Sequence, residues 1–266
     1  MDDYSSKLLN HLSSYCSEHG LDIESLPSLF DEPKLVPMIR GIGFEYVVEK
    51  DLKQIFINSD RFKITKPVIN AQFEIRDVDV EIFDKKFKKQ IAIECKLAKN
   101  NSFRSKTTKN NFPHCSIKIM RSRTLGDQKI AEFSKKENIE ISKINSHKDS
   151  YLSNHFDYIV TNLRNAFYRT TEEGLFRFSP TKDEANFLQQ FFGVSSVNEV
   201  DQKLKNTHFY IKAEKLIPKN SGTECPRKTC QDKHQCEFIP NYPIFRLDNL
   251  CAWKPLKHLF NELEEI

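Results

Sequence analysis

Apolar residues recur at helical spacing near the start of the chain, where Leu8, Leu9, Leu12 and Tyr15 predict a helix over 4–19. A Pro-bearing connection follows, LPSLFDEPKLVP at 26–37. The next stretch, GIGFEYVVEKDLKQIFI at 41–57, sets Phe44, Val47, Val48, Leu52, Ile55 and Phe56 at helical periodicity. The pattern then changes to alternation: residues 73–83 and 90–98 read as strands, and 100–115 as a polar, basic loop. A short strand is expected at 116–120, a helix at 126–138, strands at 156–163 and 174–180, helices at 182–193 and 197–205, and a strand at 208–217. A polar, Cys-rich segment covers 219–236, and a partly helical end broken by Pro255 covers 247–265. Helices mixed with hairpin and strand units imply α/β (α+β) architecture, with a mixed central sheet flanked by helices rather than an all-parallel doubly wound one.

The two alternating stretches, RDVDVEIFDKKFKKQIAIECKLAKN at 76–100, carry unusual chemistry. Side chains two apart on a strand share a face. Val78, Val80 and Ile82 therefore share one face, and Asp77, Asp79 and Glu81 the other. On the second strand Ile91, Ile93, Cys95 and Leu97 share a face, and Ala92, Glu94, Lys96 and Ala98 the opposite one. An antiparallel turn centred between Lys86 and Phe87 sets Asp79 opposite Glu94, and a one-residue slip would break the apolar match. Two facing carboxylates repel unless a positive group sits between them. A Mg²⁺ ion suits such hard oxygen donors, and Lys96 could steer a water or stabilise developing charge. Glu45 projects into the apolar arc of the preceding helix, which is costly for a carboxylate that is neither paired nor metal-linked. An isolated Glu-x-Lys string is ordinary on a solvated strand; the combination with Asp79, Glu45 and the basic stretch beyond is sharper.

Composition narrows the classes. The chain has 266 residues, 29% charged and 38% hydrophobic, a globular balance that allows one large domain or a domain with a small appendage. A net charge of +4 says little, but its distribution says more. Between Cys95 and Gly126 stand eight basic residues, Lys96, Lys99, Arg104, Lys106, Lys109, Lys118, Arg121 and Arg123, with no Asp or Glu. Such a block is a solvated loop or a footprint for phosphate backbones. Only seven glycines and no GxGxxG or GxxxxGK[ST] argue against a dinucleotide or P-loop site. No apolar run is long enough to span a bilayer, so no membrane association is expected. The polar, acidic start MDDYSSKLLNHL does not read as a signal peptide, and seven cysteines without one suggest reduced thiols in a cytoplasm.

Asp79 followed by Glu94-Cys95-Lys96 resembles the Asp…Glu-x-Lys pattern of the PD-(D/E)xK nuclease superfamily, and Gly43-Phe44-Glu45 resembles the signature on that family's first core helix. The resemblance covers about residues 40–165. It implies a restriction-endonuclease-like core, which sits in a nuclease domain read over 1–218; outside the resemblance, the cysteines mark 219–266 as a Cys-rich C-terminal element, either packed on the same domain or a separate appendage. It further implies Mg²⁺-dependent hydrolysis of phosphodiester bonds, with Asp79, Glu94 and Glu45 around the metal and Lys96 orienting or helping to deprotonate the attacking water. The family's proline before the Asp is absent: Val78 precedes Asp79, so Asp77 is a rival ligand. A chain of this size without helicase motifs is most similar to type II restriction endonucleases. That implies double-stranded DNA as partner, a homodimer and a cognate DNA methyltransferase. Lys99, Arg104, Lys106, Lys109, Lys118, Arg121 and Arg123 are the candidate DNA contacts. A structure-specific or RNA-directed nuclease of the same core would show the same site, and a non-catalytic nucleic-acid-binding module is the third reading.

The segment CPRKTCQDKHQC carries Cys225, Cys230, His234 and Cys236, with Cys251 beyond. Three cysteines with His234 or Cys251 could hold a structural Zn²⁺, and an all-cysteine set also suits an iron–sulfur cluster. The spacing is not that of a usual zinc knuckle, and free thiols in a polar loop are the competing reading. His147 and His155 have no metal-motif spacing and are expected at the surface or in hydrogen bonds.

Overall fold

The computed structural model describes residues 3–67, 78–108, 110–121 and 124–265, so Asp77, Lys109 and Arg123 lie outside the described residues. In chain order the elements are α1 Asp3–Glu18, α2 Leu26–Asp31, α3 Leu35–Ile55, β1 Phe62–Thr65, β2 Val80–Asp84, β3 Lys89–Leu97, β4 His114–Ser116, α4 Asp127–Glu137 and α5 Ile141–Ser146. They continue with β5 Tyr158–Asn162, β6 Tyr168–Thr170, β7 Phe176–Phe178, α6 Lys182–Phe192, α7 Val197–Asn206, β8 His208–Lys212, α8 Pro218–Ser221, β9 Ile244–Arg246, β10 Lys254–Pro255 and α9 Leu259–Glu264.

Several elements differ from expectation. The Pro-bearing connection is itself largely helical, because Pro27 sits in the first turn of α2 and Pro37 in that of α3, where a missing N–H costs nothing. The strand expected at 116–120 falls at 114–116, with Ile117 bridging Ala98. The strand expected through 217 ends at Lys212 in a 3₁₀ turn. The two helices after β7 start where capping boxes stand in the sequence, Thr181 with Glu184 and Ser196 with Glu199, each satisfying backbone N–H groups at the helix start.

The main sheet has six strands in the order β1-β2-β3-β5-β8-β10. The β3–β5 pair is parallel and the other neighbours are antiparallel, so the sheet is mixed. The β2–β3 hairpin takes the register that alternation predicts, Val80 with Ile93 through Asp84 with Lys89. Its turn is pinned by Asp84, whose Oδ1 accepts from the Lys86 and Phe87 backbone N–H groups at 2.9 and 3.3 Å, while Arg61 grips the same carboxylate.

Both faces of the sheet are covered, each with its own apolar cluster. On one face Phe44, Val48 and Leu52 of α3 and Leu259 and Leu263 of α9 meet Val80, Ile82, Ile91, Ile93, Cys95, Val160 and Tyr210. On the other, Leu188 of α6 and Val200 and Leu204 of α7 meet Ala98, Ile159, Phe209 and Ile211, joined by Phe245 and Trp253 from the C-terminal segment. The period-2 alternation of β5 and β8 divides their residues between the two clusters. A smaller cluster joins Ile130 and Phe133 of α4 and Ile144 of α5 to Leu152, Cys225, Cys236 and Phe238.

Candidate functional site

The face of β3 opposite Cys95 carries Glu94 and Lys96, and it is not the solvated face that charged alternation suggests. Glu94 is 1% exposed and Asp79 8%. Asp79 stands one step beyond the Val80–Ile93 pair, which brings it to Glu94 across the hairpin. Its Oδ2 accepts a hydrogen bond from the Cys95 backbone N–H at 2.7 Å. The Lys96 ammonium pairs with Glu94 Oε1 and stands 3.9 Å from Asp79 Oδ2. Glu45 comes from α3 and pairs with Lys66, just past the end of β1. Lys66 escaped the sequence reading, for it follows a short strand that shows no distinctive pattern.

The electrostatics bind these groups into one cluster. Burial, and after it the charge of Asp79, push the Glu45 carboxyl up, against the opposing pull of Lys66. Burial works against a charged Lys96, yet the fields of Glu94 and Asp79 prevail and hold its pKa well above the ordinary lysine value. Lys96 is therefore a firm ammonium. Three carboxylates face the Lys66 and Lys96 ammonium groups, and the Arg121 guanidinium also lies within the field of Glu94, so with all ionised the charges balance. A set of hard oxygen donors fits a Mg²⁺ ion in donor chemistry. The carboxylates are nonetheless not drawn together as ligands. Among the described residues, the grouping whose ligand atoms all lie within 4.8 Å of one another is elsewhere.

Tyr151 forms part of the wall over this site: the Lys96 Nζ lies 5.9 Å from its ring centroid. Arg121 also lies against that ring, 4.7 Å from the Tyr151 centroid and 5.6 Å from that of Phe133, and within the field of Glu94. Its Nε donates to the Ser150 carbonyl at 3.1 Å. Arg121 is thus buried between aromatic rings instead of facing DNA as expected, because the chain turns it inward against α4. Lys99, Arg104, Lys106 and Lys118 are exposed. Lys99 lies over the Tyr242 ring at 4.8 Å.

The other grouping is His147, Cys225, Cys230 and Cys236, which could hold a metal ion. His147 Nε2 lies 3.4 Å from Cys225 Sγ and 3.5 Å from Cys236 Sγ. Its Nδ1 donates to the Lys143 carbonyl at 2.9 Å, and its ring stacks on Phe238 at 4.3 Å. This corrects the sequence-based ligand set. His234 is exposed and pairs with Glu224 at 3.4 Å. Cys251 is also exposed and hydrogen-bonds Asn249. His147, expected to have no metal role, takes the fourth place because α5 ends against the Cys-rich segment. Burial pushes the Cys225 and Cys236 thiols up and His147 down. No helix among the described residues is long and apolar enough to cross a membrane. No protein-family model, curated protein or solved structure matches the chain.

Proposed function

We propose that the protein is a Mg²⁺-dependent endonuclease of the PD-(D/E)xK superfamily that hydrolyses phosphodiester bonds in double-stranded DNA, acting as a type II restriction enzyme. One observation carries the reading: Lys96 contacts both Glu94 and Asp79 in the 79/94 register of the hairpin, at the centre of a mixed sheet. That neighbourhood of lysine and two carboxylates on adjacent strands supports the Asp…Glu-x-Lys reading.

Asp79 and Glu94 would hold the ion, with Glu45 completing the carboxylate set from α3. When bound, Mg²⁺ supplies Lewis-acid polarisation of the scissile phosphate and of a water. Lys96, held charged by its two carboxylate neighbours, orients the attacking water and offsets charge developing on the phosphate, a role better suited to an ammonium than proton removal. Lys66 holds Glu45 in place. Exposed Lys99, Arg104, Lys106 and Lys118 grip the DNA backbone, which fixes position without reading sequence. Met38, Ile42 and Tyr46 form an exposed apolar stripe along α3, which favours a homodimer.

Digestion of long, mapped duplex DNA with Mg²⁺ tests the reading. Discrete fragments support a restriction enzyme, which a DNA methyltransferase that blocks cleavage would accompany. A smear supports a non-specific or structure-directed nuclease. Intact DNA across varied sequences, with no binding, would sink it.

A further inference from the structure

The geometry points to a structural Zn²⁺ site held by His147 Nε2 and the thiolates of Cys225, Cys230 and Cys236, clamping the Cys-rich C-terminal segment onto α5. This site stands apart from the carboxylate cluster and does not depend on the nuclease reading.

The spacing of the ligand atoms suits a tetrahedral ion. Zn–S and Zn–N bonds of about 2.3 and 2.0 Å at a tetrahedral angle separate N from S by roughly 3.5 Å. His147 Nε2 lies 3.4 and 3.5 Å from two of the sulfurs, and all four ligand atoms fall within 4.8 Å of one another. None of these cysteines is in a disulfide.

The tautomer is settled by the second ring nitrogen. A carbonyl oxygen can only accept, so Nδ1 carries the proton toward Lys143 and Nε2 presents its lone pair to the sulfurs. A hydrogen bond from the far nitrogen of a ligating histidine to a carbonyl is the usual outer support of a metal site. Phe238 stacks nearly parallel, 8° from the imidazole plane, and fixes its rotation. The Arg227 backbone hydrogen-bonds the Cys225 sulfur. A cleft of about 290 Å³, lined by His147, Cys225, Arg227 and Tyr242 among others, borders the site.

Three cysteines and one histidine leave no open position on a four-coordinate ion, so the site is structural. One histidine among the ligands favours zinc over an iron–sulfur cluster, which four cysteines usually hold. The clamp reaches the neighbourhood of the carboxylate site. Asp149, two residues beyond His147, pairs with Arg227, accepts from Asn241 Nδ2 at 2.8 Å, and takes the Arg121 backbone N–H on its carbonyl at 2.9 Å.

Elemental analysis of protein purified under reducing conditions from zinc-supplemented culture tests the assignment. About one equivalent of zinc per chain is expected, and cobalt exchanged into the site should show the ligand-field bands of a tetrahedral thiolate centre. His147→Ala should lower zinc retention against a competing chelator at least about tenfold. His147→Cys, which keeps four ligands, should restore it. His234→Ala and Cys251→Ser should retain full zinc. Less than about 0.2 equivalents of zinc in the wild-type chain would overturn the site, as would stoichiometric iron in its place. Loss of metal in His234→Ala or Cys251→Ser, with retention in His147→Ala, would overturn the ligand set.

Discussion

Asp79 Oδ2 accepts the backbone N–H of Cys95 at 2.7 Å, which ties a carboxylate at the start of one strand to the main chain between Glu94 and Lys96 on the next. The charge and the hydrogen bond can be separated by mutation. Asp79→Asn keeps an acceptor and should fold normally, yet lose cleavage by about 100-fold or more, since the carboxylate proposed to hold the metal is gone. Asp79→Ala should lose cleavage as well, and it should also be destabilised by about 1–3 kcal/mol, because the buried Cys95 N–H is left without its partner. Chemical denaturation beside a cleavage assay separates the two variants.

Glu45 should respond to pH and metal in opposite senses. Its carboxyl is pushed above the usual value of about 4.5, first by burial and then by Asp79. A carboxyl raised on folding contributes stability that is complete below the unfolded value and is lost as pH rises through the folded one. Glu45→Gln stays neutral and escapes that loss. Without metal the variant should therefore unfold at an equal or higher temperature than wild type at neutral pH, with the difference closing below about pH 4.5. Added Mg²⁺ should raise the melting temperature of wild type more than that of the variant. A variant markedly less stable than wild type at neutral pH would show that the Lys66 pair outweighs the crowding.

Arg121 and Lys106 separate a buried cation from an exposed one in the same basic stretch. Arg121→Ala should cost about 1–3 kcal/mol, since it strips the Ser150 carbonyl of a buried donor and empties a space between Tyr151 and Phe133. Lys106→Ala should change stability by no more than about 0.5 kcal/mol. It should instead lower the slope of log affinity against log salt for duplex DNA by about 1. Denaturation curves and a salt titration of binding check the pair.

Phe245 is fully buried on β9, against Phe209 of β8 and Trp253 at 4.9 and 5.2 Å between ring centroids. The C-terminal segment thereby supplies part of the main core. Phe245→Ala should cost about 3–5 kcal/mol, and a chain cut after residue 218 should fail to fold cooperatively. Thermal melts of both would show it; a truncated chain with a sharp, native-like transition would contradict the packing.

The hairpin was legible because strand alternation has a period of two, and one turn position fixes every pair along the ladder. Glu94, Lys96 and Asp79 follow from that register alone. Glu45 was legible through its place in a helical apolar arc. Lys66 was not, since its pairing with Glu45 joins distant elements and leaves no local pattern. The place of His147 beside the three cysteines escaped for the same reason: a zinc motif is read from short spacings, and this residue comes from a helix end far upstream of Cys225. Arg121 was misread because a run of basic residues reports charge and says nothing of which side chains the chain turns inward.

The central claim rests on Lys96 and its two carboxylates, and the most direct measurement is cleavage of long duplex DNA by wild type, Glu94→Gln and Lys96→Ala, each with Mg²⁺ and at matched folding by circular dichroism. The expected result is cleavage by wild type, lost by about 100-fold or more in both variants while DNA binding persists. Cleavage at the wild-type rate by either variant, or none by any protein over a wide range of duplex sequences, would contradict the assignment.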